Sequence, residues 1–499
     1  MTQPIRTRFA PSPTGAPHIG NIRTALFAWL FARHHHGAFL LRIEDTDQQR
    51  LDPLSIQMII NSLATLGLDY DEGIIIDKSG QICSDGPYGP YIQSQRLDTY
   101  LSISKLLLEK GVAYECYCSS ERLAQLKREQ AEHKLPPKYD RHCRYLTDEQ
   151  RNREKKQAQT TIIRLALPEQ GMIEHNDLVR GNVSFDFALQ DDPVLLKSDQ
   201  FPTYHLAAIA DDHAMRISHV IRGEEWLSSI PKHLFLYQAL GWELPRFAHL
   251  PIILGHDKTK LSKRHGATSV LEYIEKGYES DALINFLALL GWNPGTEQEL
   301  FSRENLIQAF DIEKVQKSPA VFDEQKLHWM NQQYLKAISD ETILLERGKK
   351  WLNPALKKHP IADEKIVAIV KLGLERIQVW TDLQHIVQYI WEQPDEYDTE
   401  LLCKYTEREE TKSILEKLQQ ELEMWDVSIW ENIDNIIQNL TIWIESKKNT
   451  DITRAKTLWP LRVALTGLQN SPGVFETMFV LEKQETIKRI TYAISILSM

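Results

Sequence analysis

Two stretches of this 499-residue chain carry residue types that can handle a nucleoside triphosphate. The first runs from Arg8 to Asn21 and reads RFAPSPTGAPHIGN. Its prolines and Gly15 stiffen a turn, Ser12 and Thr14 offer hydroxyls, and the helix expected from His18 presents free backbone N–H groups to an anion. His18 and Asn21 add side-chain donors on that first turn. The second runs from Asp257 to Gly266 and crowds Lys258, Lys260, Lys263 and Arg264 into one short loop. A basic loop alone is usually solvated surface, and a Pro-rich turn alone is usually just a capped helix start. Paired, a phosphate cradle and a mobile cluster of cations can stabilise the charge that develops as pyrophosphate leaves.

The elements around these stretches are of the right kind to position them. Ile5 to Ala10 is a short apolar run, helical periodicity from His18 places Ile22, Ala25, Leu26, Trp29 and Leu30 on one helix, and Gly37 ends it. Phe39 to Ile43 is a second apolar strand that runs into Glu44-Asp45-Thr46-Asp47. Strand, helix and strand at this spacing predict a parallel α/β unit, whose ligands bind where strands end and helices begin. From Gly111 to Arg180 the character changes, with three of the five cysteines and a basic, glutamine-rich run, as expected of an insertion. Strand candidates return at Val194–Leu196, Ile217–Ile221 and Leu250–Leu254. Beyond residue 331 lie only four of the 22 glycines but seven of the 12 tryptophans, which predicts a separate helical region, as in Ile414–Trp425 and Thr486–Leu497.

Composition narrows the class. Hydrophobic residues make up 42% and charged residues 25%, close to a soluble globular chain. No apolar run is long enough to span a bilayer, and the first ten residues lack a secretory layout, which predicts a cytoplasmic protein with no membrane partner. Five cysteines in a chain of this length do not make a disulfide framework. The net charge of −11 leaves nucleic-acid binding open, because only the face that meets phosphate must be basic.

Taken together and in order, these motifs resemble class I aminoacyl-tRNA synthetases. Pro17 to Asn21 (PHIGN) is similar to the family's HIGH signature, and Lys260 to Arg264 (KLSKR) to its KMSKS signature. The opening stretch, LLRIEDTD at Leu40–Asp47, YHLA at Tyr204–Ala207 and IRGEEWL at Ile221–Leu227 are similar to bacterial glutamyl-tRNA synthetases, as are PLRVALTG at Pro460–Gly467 and SPGVF at Ser471–Phe475. The resemblance implies a Rossmann-like parallel-sheet catalytic domain (1–110 and 191–255). An α/β insertion for the tRNA acceptor end (111–190), a stem-contact segment with the lysine loop (256–330) and an all-α anticodon-binding region (331–499) complete the implied architecture.

The same resemblance implies roles. Arg8 and Arg222 would meet the glutamate side-chain carboxylate, Glu44 its α-amino group, with Ala10, Ser12 and Tyr204 around it; Ala208 stands where some relatives have a polar side chain. ATP, with Mg²⁺, would sit at His18, Gly20, Asn21, Glu225, Leu254, Lys260 and Lys263, and His18, Lys260 and Lys263 would be catalytic. Partners would be glutamate and tRNA-Glu, with tRNA-Gln left open, and the chain would act as a monomer. A glutaminyl-tRNA synthetase shares the catalytic half but ends in β-barrels, an adenylyltransferase lacks the long tail, and a non-catalytic paralogue would have lost His18, Lys260 or Lys263. Some relatives hold a structural zinc near Cys116, Cys118 and Cys143. Their fourth ligand, a histidine, is here Tyr145, which leaves Tyr139, a rare kind of zinc ligand, with His142 also near, against the alternative of three reduced thiols. The His34–His36 run reads as the solvated end of a helix.

Overall fold

The computed structural model describes residues 4–48, 52–262, 269–394, 396–447 and 452–499. The chain divides into two compact units, one of Met1–Glu275 with Ser280–Glu324, the other of Lys276–Glu279 with Gln325–Met499. Among the described residues, no helix is long and apolar enough to cross a membrane.

The first unit opens with β1 (Arg6–Phe9), α1 (Ile19–His34) and β2 (Ala38–Leu41). β1 and β2 are parallel, with Arg6 opposite Ala38 and Phe9 opposite Leu41. α1 is apolar on nearly every face, so it is buried, from Ile19 through Ala32, rather than riding on the surface. Gly37 turns the chain back where any side chain would collide, since a Cβ there would lie 2.3 Å from the Ile5 carbonyl oxygen. After α2 (Pro53–Leu66), capped by Asp52, β3 (Glu72–Ile76) joins β2 in parallel and β4 (Ile82–Asp85) closes that edge antiparallel.

α3 (Leu97–Glu109) leads to the inserted region. It comprises β5 (Ala113–Cys116), α4 (Ser120–Glu132), α5 (Asp148–Gln157), β6 (Ile162–Leu165), and a hairpin of β7 (Met172–Asp177) and β8 (Gly181–Asp186). The strand expected at Val194–Leu196 forms as β9, but it pairs with β6 in the insertion's own sheet rather than with the returning half. The chain then gives α6 (Tyr204–Ala214), β10 (His219–Gly223), α7 (Ile230–Leu240), β11 (Arg246–Leu250) and β12 (Ile253–Leu254). β10 and β11 are parallel. Ser218 ties β10 to β1: its N–H donates to the Arg6 carbonyl at 3.0 Å and its hydroxyl accepts from the Arg6 N–H at 2.8 Å. These bonds set β10 beside β1, while the regular ladders remain β1–β2 and β10–β11. In parallel units of this kind the ligand crevice lies at the strands' C-terminal ends.

The second unit is helical, and no strand lies among the described residues beyond Val321. Helices Glu341–Trp351 and Asp363–Leu374 share a core with Trp380 and Leu383. Helices Arg408–Met424, Ile433–Ser446, Arg454–Thr466 and Val474–Ser498 surround a second core that includes Leu415, Leu440, Leu461 and Ile490. Trp425, Trp430 and Trp443 are buried there.

Candidate active site

The turn after β1 is held from several sides. Glu44 N–H donates to the Pro11 carbonyl and Asp52 N–H to that of Pro13, each at 3.0 Å, while Gly15 N–H donates to Ser55 Oγ at 2.6 Å. His18 caps α1, its Nδ1 accepting the Gly20 N–H at 3.1 Å. The ring's proton is thereby assigned to Nε2, which is buried and has no hydrogen-bond partner among the described residues. Burial, and then the charge of Lys260, lower the His18 pKa, so the ring is neutral near pH 7 and offers one N–H.

That ring borders a cavity of about 270 Å³, together with Gly20, Asn21, Glu225 and Lys260. Lys260 reaches it because the chain after β12 folds straight back. Gly255 N–H donates to the Thr259 carbonyl at 2.8 Å, and Lys260 bridges Leu254. Ile253, rather than the expected Leu254, lines the cavity. Lys263 lies outside the described residues.

A second cavity, of about 550 Å³, is lined by Ser12, Glu44, Tyr204 and Trp226, with Lys197 and Thr46 at its rim. The two arginines expected to serve it are treated differently. Arg8, on β1, gives Nε and one terminal nitrogen to Asp212, at 3.1 and 3.4 Å. Asp212 also receives Arg42 at 2.8 Å, and Arg42 holds Glu44 at 3.1 Å. Burial alone would raise the Asp212 pKa, but Arg8 and Arg42 pull it below the usual carboxylate range. Glu44 moves the other way: burial raises it against the pull of Arg42 and Arg8. Asp211, next to Asp212 in sequence, takes Arg96 at 2.6 Å, Gln93 at 2.8 Å and Tyr100 at 2.9 Å, which fixes α6 and with it Asp212.

Arg222, on β10, has a different set. It donates Nε to His249 Nε2 at 3.0 Å, one terminal nitrogen to Tyr204 Oη at 2.7 Å and to His233 Nδ1 at 3.4 Å, and the other to the Trp226 carbonyl at 3.4 Å. The guanidinium is 5% exposed, and each of these partners is neutral. Burial followed by the Arg222 charge keeps His233 far below its ordinary pKa, and burial takes His249 to about 4. Having accepted from Arg222, the Tyr204 hydroxyl retains its own proton for another acceptor. Of the other residues expected here, Ala10 is half-buried between β1 and Pro11, and Ala208 is buried in α6.

Comparison with known proteins decides the family. The model for tRNA synthetases class I (E and Q), catalytic domain, matches residues 4–329, and that for an anticodon binding domain matches 343–494. The chain is 44% identical over 503 residues to the glutamate–tRNA ligase of Dehalococcoides mccartyi, covering 100% of this chain and 99% of the other. The chain belongs to the glutamate–tRNA ligase family. A second relative, the glutamate–tRNA ligase of Clostridioides difficile, is 40% identical with 98% of each chain covered. The crystal structure of a glutamate tRNA ligase from Elizabethkingia meningosepticum in complex with its amino acid superposes with a TM-score of 0.87 at 36% identity, over 99% of each chain.

The glutamate–tRNA ligase family assignment directs attention to two further places. In the helical unit, a cavity of about 760 Å³ is bordered by Arg376, Tyr405, Arg454, Trp459, Arg462 and Phe475. Arg462 lies 4.3 Å and Lys404 4.2 Å from the Trp459 ring centre, so the cleft joins cations to aromatic surface, the residue types that contact single-stranded bases and phosphates. Sequence reasoning did not single out these residues. The available signal was Trp459 immediately before the PLRVALTG stretch, with Arg462 three residues on.

In the insertion, Cys116, Cys118 and Cys143 bring three sulfurs within 4.8 Å of one another. The Tyr139 hydroxyl is 3.3 Å from the Cys116 sulfur and 3.4 Å from that of Cys118. Tyr145 is exposed and bonds Glu169 instead, so it takes no part. Three thiols this close supply three of the four donors of a structural zinc site, with the Tyr139 phenol, an uncommon zinc ligand, beside them. Without metal, hydrogen bonds from Cys118 and Cys143 make Cys116 the thiol that ionises first.

Proposed function

We propose that this chain activates glutamate with ATP and transfers it to the 3′-terminal adenosine of tRNA-Glu. The observation that carries the reading is Arg222: a buried cation with neutral hydrogen-bond partners, two of which, Tyr204 and Trp226, line the cavity that Glu44 and Ser12 also border. A side-chain carboxylate there supplies the missing anion, and the free Tyr204 proton donates to it. Glutamine leaves the guanidinium without its charge partner, which is strongly unfavourable in a desolvated site. Glu44 receives the α-amino group, and Ser12 and Ala10 border the backbone of the substrate.

ATP, carried as its magnesium complex, takes the smaller cavity. The α-carboxylate oxygen attacks the α-phosphorus, the bond to the bridging oxygen breaks, and pyrophosphate leaves with that electron pair. His18 Nε2–H and Lys260, joined by Lys263, neutralise the phosphate charge as it shifts. No residue of the chain is acylated; positioning and charge supply the rate. The ribose hydroxyl of the tRNA then attacks the glutamyl carbonyl and releases AMP.

The insertion (111–190) holds the acceptor end, residues 256–330 the stem, and residues 331–499 the anticodon, with the Trp459 cleft as the base-reading surface. The chain works as a monomer in the cytoplasm. The test is ATP-dependent attachment of labelled glutamate to tRNA-Glu and tRNA-Gln transcripts, with glutamine in competition. Charging of tRNA-Glu supports the proposal, charging of tRNA-Gln extends its substrate range, and no transfer to either with ATP still bound refutes it.

A further inference from the structure

The fourth side of Arg222 leads out of the pocket into the insertion. His249 on β11 stands directly opposite Arg222 on β10 in the strand register. Its Nε2 accepts the Arg222 Nε–H at 3.0 Å, and its Nδ1 lies 2.6 Å from Asp177 Oδ2. Both side chains are completely buried. Asp177 is the last residue of β7, at the turn of the inserted hairpin.

Asp177 has no freedom in this arrangement. Its Oδ1 accepts three backbone N–H groups, from Val179 at 3.0 Å, Arg180 at 2.9 Å and His249 at 3.2 Å. An ionised carboxylate only accepts, so it fixes the proton of His249 on Nδ1 and leaves Nε2 bare. A bare Nε2 is what Arg222 requires, because the opposite tautomer would set two N–H groups against each other. The carboxylate is thus kept one imidazole away from the guanidinium. It orients Arg222 without neutralising it, whereas Asp212 contacts Arg8 directly.

We propose that Asp177 and His249 are positioning residues that set the preference for glutamate over glutamine by fixing the plane of Arg222, so that the insertion supplies part of the amino-acid pocket. The proposal rests on the reading of Arg222 as the residue that meets the substrate's side-chain carboxylate. Arg222 uses its Nε edge on His249, which leaves the edge facing Tyr204 and Trp226 in a set orientation. Loss of the anchor lets the guanidinium rotate, and a bond that depends on its direction weakens while general packing persists.

The decisive variant is Asp177→Asn in the full chain, since it preserves shape. If its amide nitrogen faces His249, the ring must accept at Nδ1 and turn an N–H toward Arg222. If its oxygen faces His249, three backbone donors confront an NH₂ group. Kinetics with glutamate and with glutamine as substrates give the ratio of kcat/KM, which does not depend on the fraction of protein folded. The expected result is a rise of about tenfold or more in KM for glutamate, with the glutamate-to-glutamine ratio falling in parallel and KM for ATP and tRNA within about twofold. His249→Gln, whose amide oxygen accepts without a tautomer, serves as the second background. There Asp177→Asn adds no further loss of selectivity if the two act in series. An unchanged ratio in Asp177→Asn, while Arg222→Ala destroys selectivity, overturns the proposal and spares the pocket. An unchanged ratio in Arg222→Ala as well overturns both.

Discussion

Replacing Arg222 with alanine tests the pocket most directly, and its size follows from the contacts. The guanidinium is 5% exposed and the cavity beside it is lined by Glu44, so a bound glutamate side chain without Arg222 is an unpaired anion near a like charge. Removing one partner from a buried, hydrogen-bonded ion pair costs about 3–5 kcal/mol. That converts to a loss of roughly two to nearly four orders of magnitude in kcat/KM for glutamate. Glutamine gains nothing from the cation, so its low activity stays nearly level and the ratio between the two collapses. The variant also strips donors from His249, Tyr204 and Trp226. Some stability is therefore lost, and thermal unfolding must be recorded alongside. The assay is steady-state aminoacylation with glutamate, glutamine, ATP and tRNA varied in turn. KM rising equally for glutamate and ATP, or a preserved glutamate-to-glutamine ratio, would refute the assignment.

Other consequences are equally open to measurement. Trp459→Ala should weaken tRNA binding by about 1–3 kcal/mol per stacked base, and Arg462→Ala should lower the salt dependence of that binding by about one counterion, with KM for glutamate unchanged in both. Acid should unfold the protein early. His249 falls from 6.5 to about 4 in the folded state, so the unfolded chain binds the extra proton and stability is lost as pH drops from 6.5 towards 4. That histidine alone accounts for about 3 kcal/mol, and His205, also lowered to about 4, adds in the same direction; urea midpoints that stay level over this range would contradict it. Tyr139→Phe removes the hydroxyl that reaches Cys116, Cys118 and the Cys143 N–H, and should cost about 1–3 kcal/mol in urea unfolding without altering glutamate kinetics. Elemental analysis of the same preparations counts any zinc the cluster holds.

What could be read from the sequence was whatever local pattern determines. The β1–α1–β2 unit, its phosphate-facing turn and the helical second unit follow from periodicity, glycine and proline placement, and composition. The set His18, Gly20, Asn21, Glu225 and Lys260, which shares one cavity, comes instead from the family resemblance of the motifs that carry it. The partners of those residues were not legible. Nothing in the order of residues says that Arg8 meets Asp212, 204 positions away, or that Asp177 reaches His249 across 72. Such contacts depend on which strands become neighbours. The strand expected at Val194–Leu196 forms, but the sheet it joins was hidden for the same reason, since a three-residue apolar run fits either and only tertiary pairing with β6 decides.

The two pocket arginines show why those hidden partners matter for chemistry. From sequence alone Arg8 and Arg222 are equivalent cations, both on strands that end at the crevice. In the fold, Arg8 shares Asp212 with Arg42, so its charge is largely spent within the protein. Arg222 meets only neutral acceptors, and its nearest supporting carboxylate is insulated by an imidazole. A substrate carboxylate placed between the two would gain little from the first and much from the second. Discrimination between an acid and its amide is a discrimination of one charge, so it must be concentrated where the protein has left a charge unanswered. Burying such a cation is unfavourable for folding, and the four neutral acceptors around it are the compensation that makes it tolerable without cancelling it. If the proposed pocket is right, Arg8 serves chiefly to hold α6 and Glu44 in place through Asp212 and Arg42, and Arg8→Lys should disturb the glutamate-to-glutamine ratio far less than Arg222→Lys.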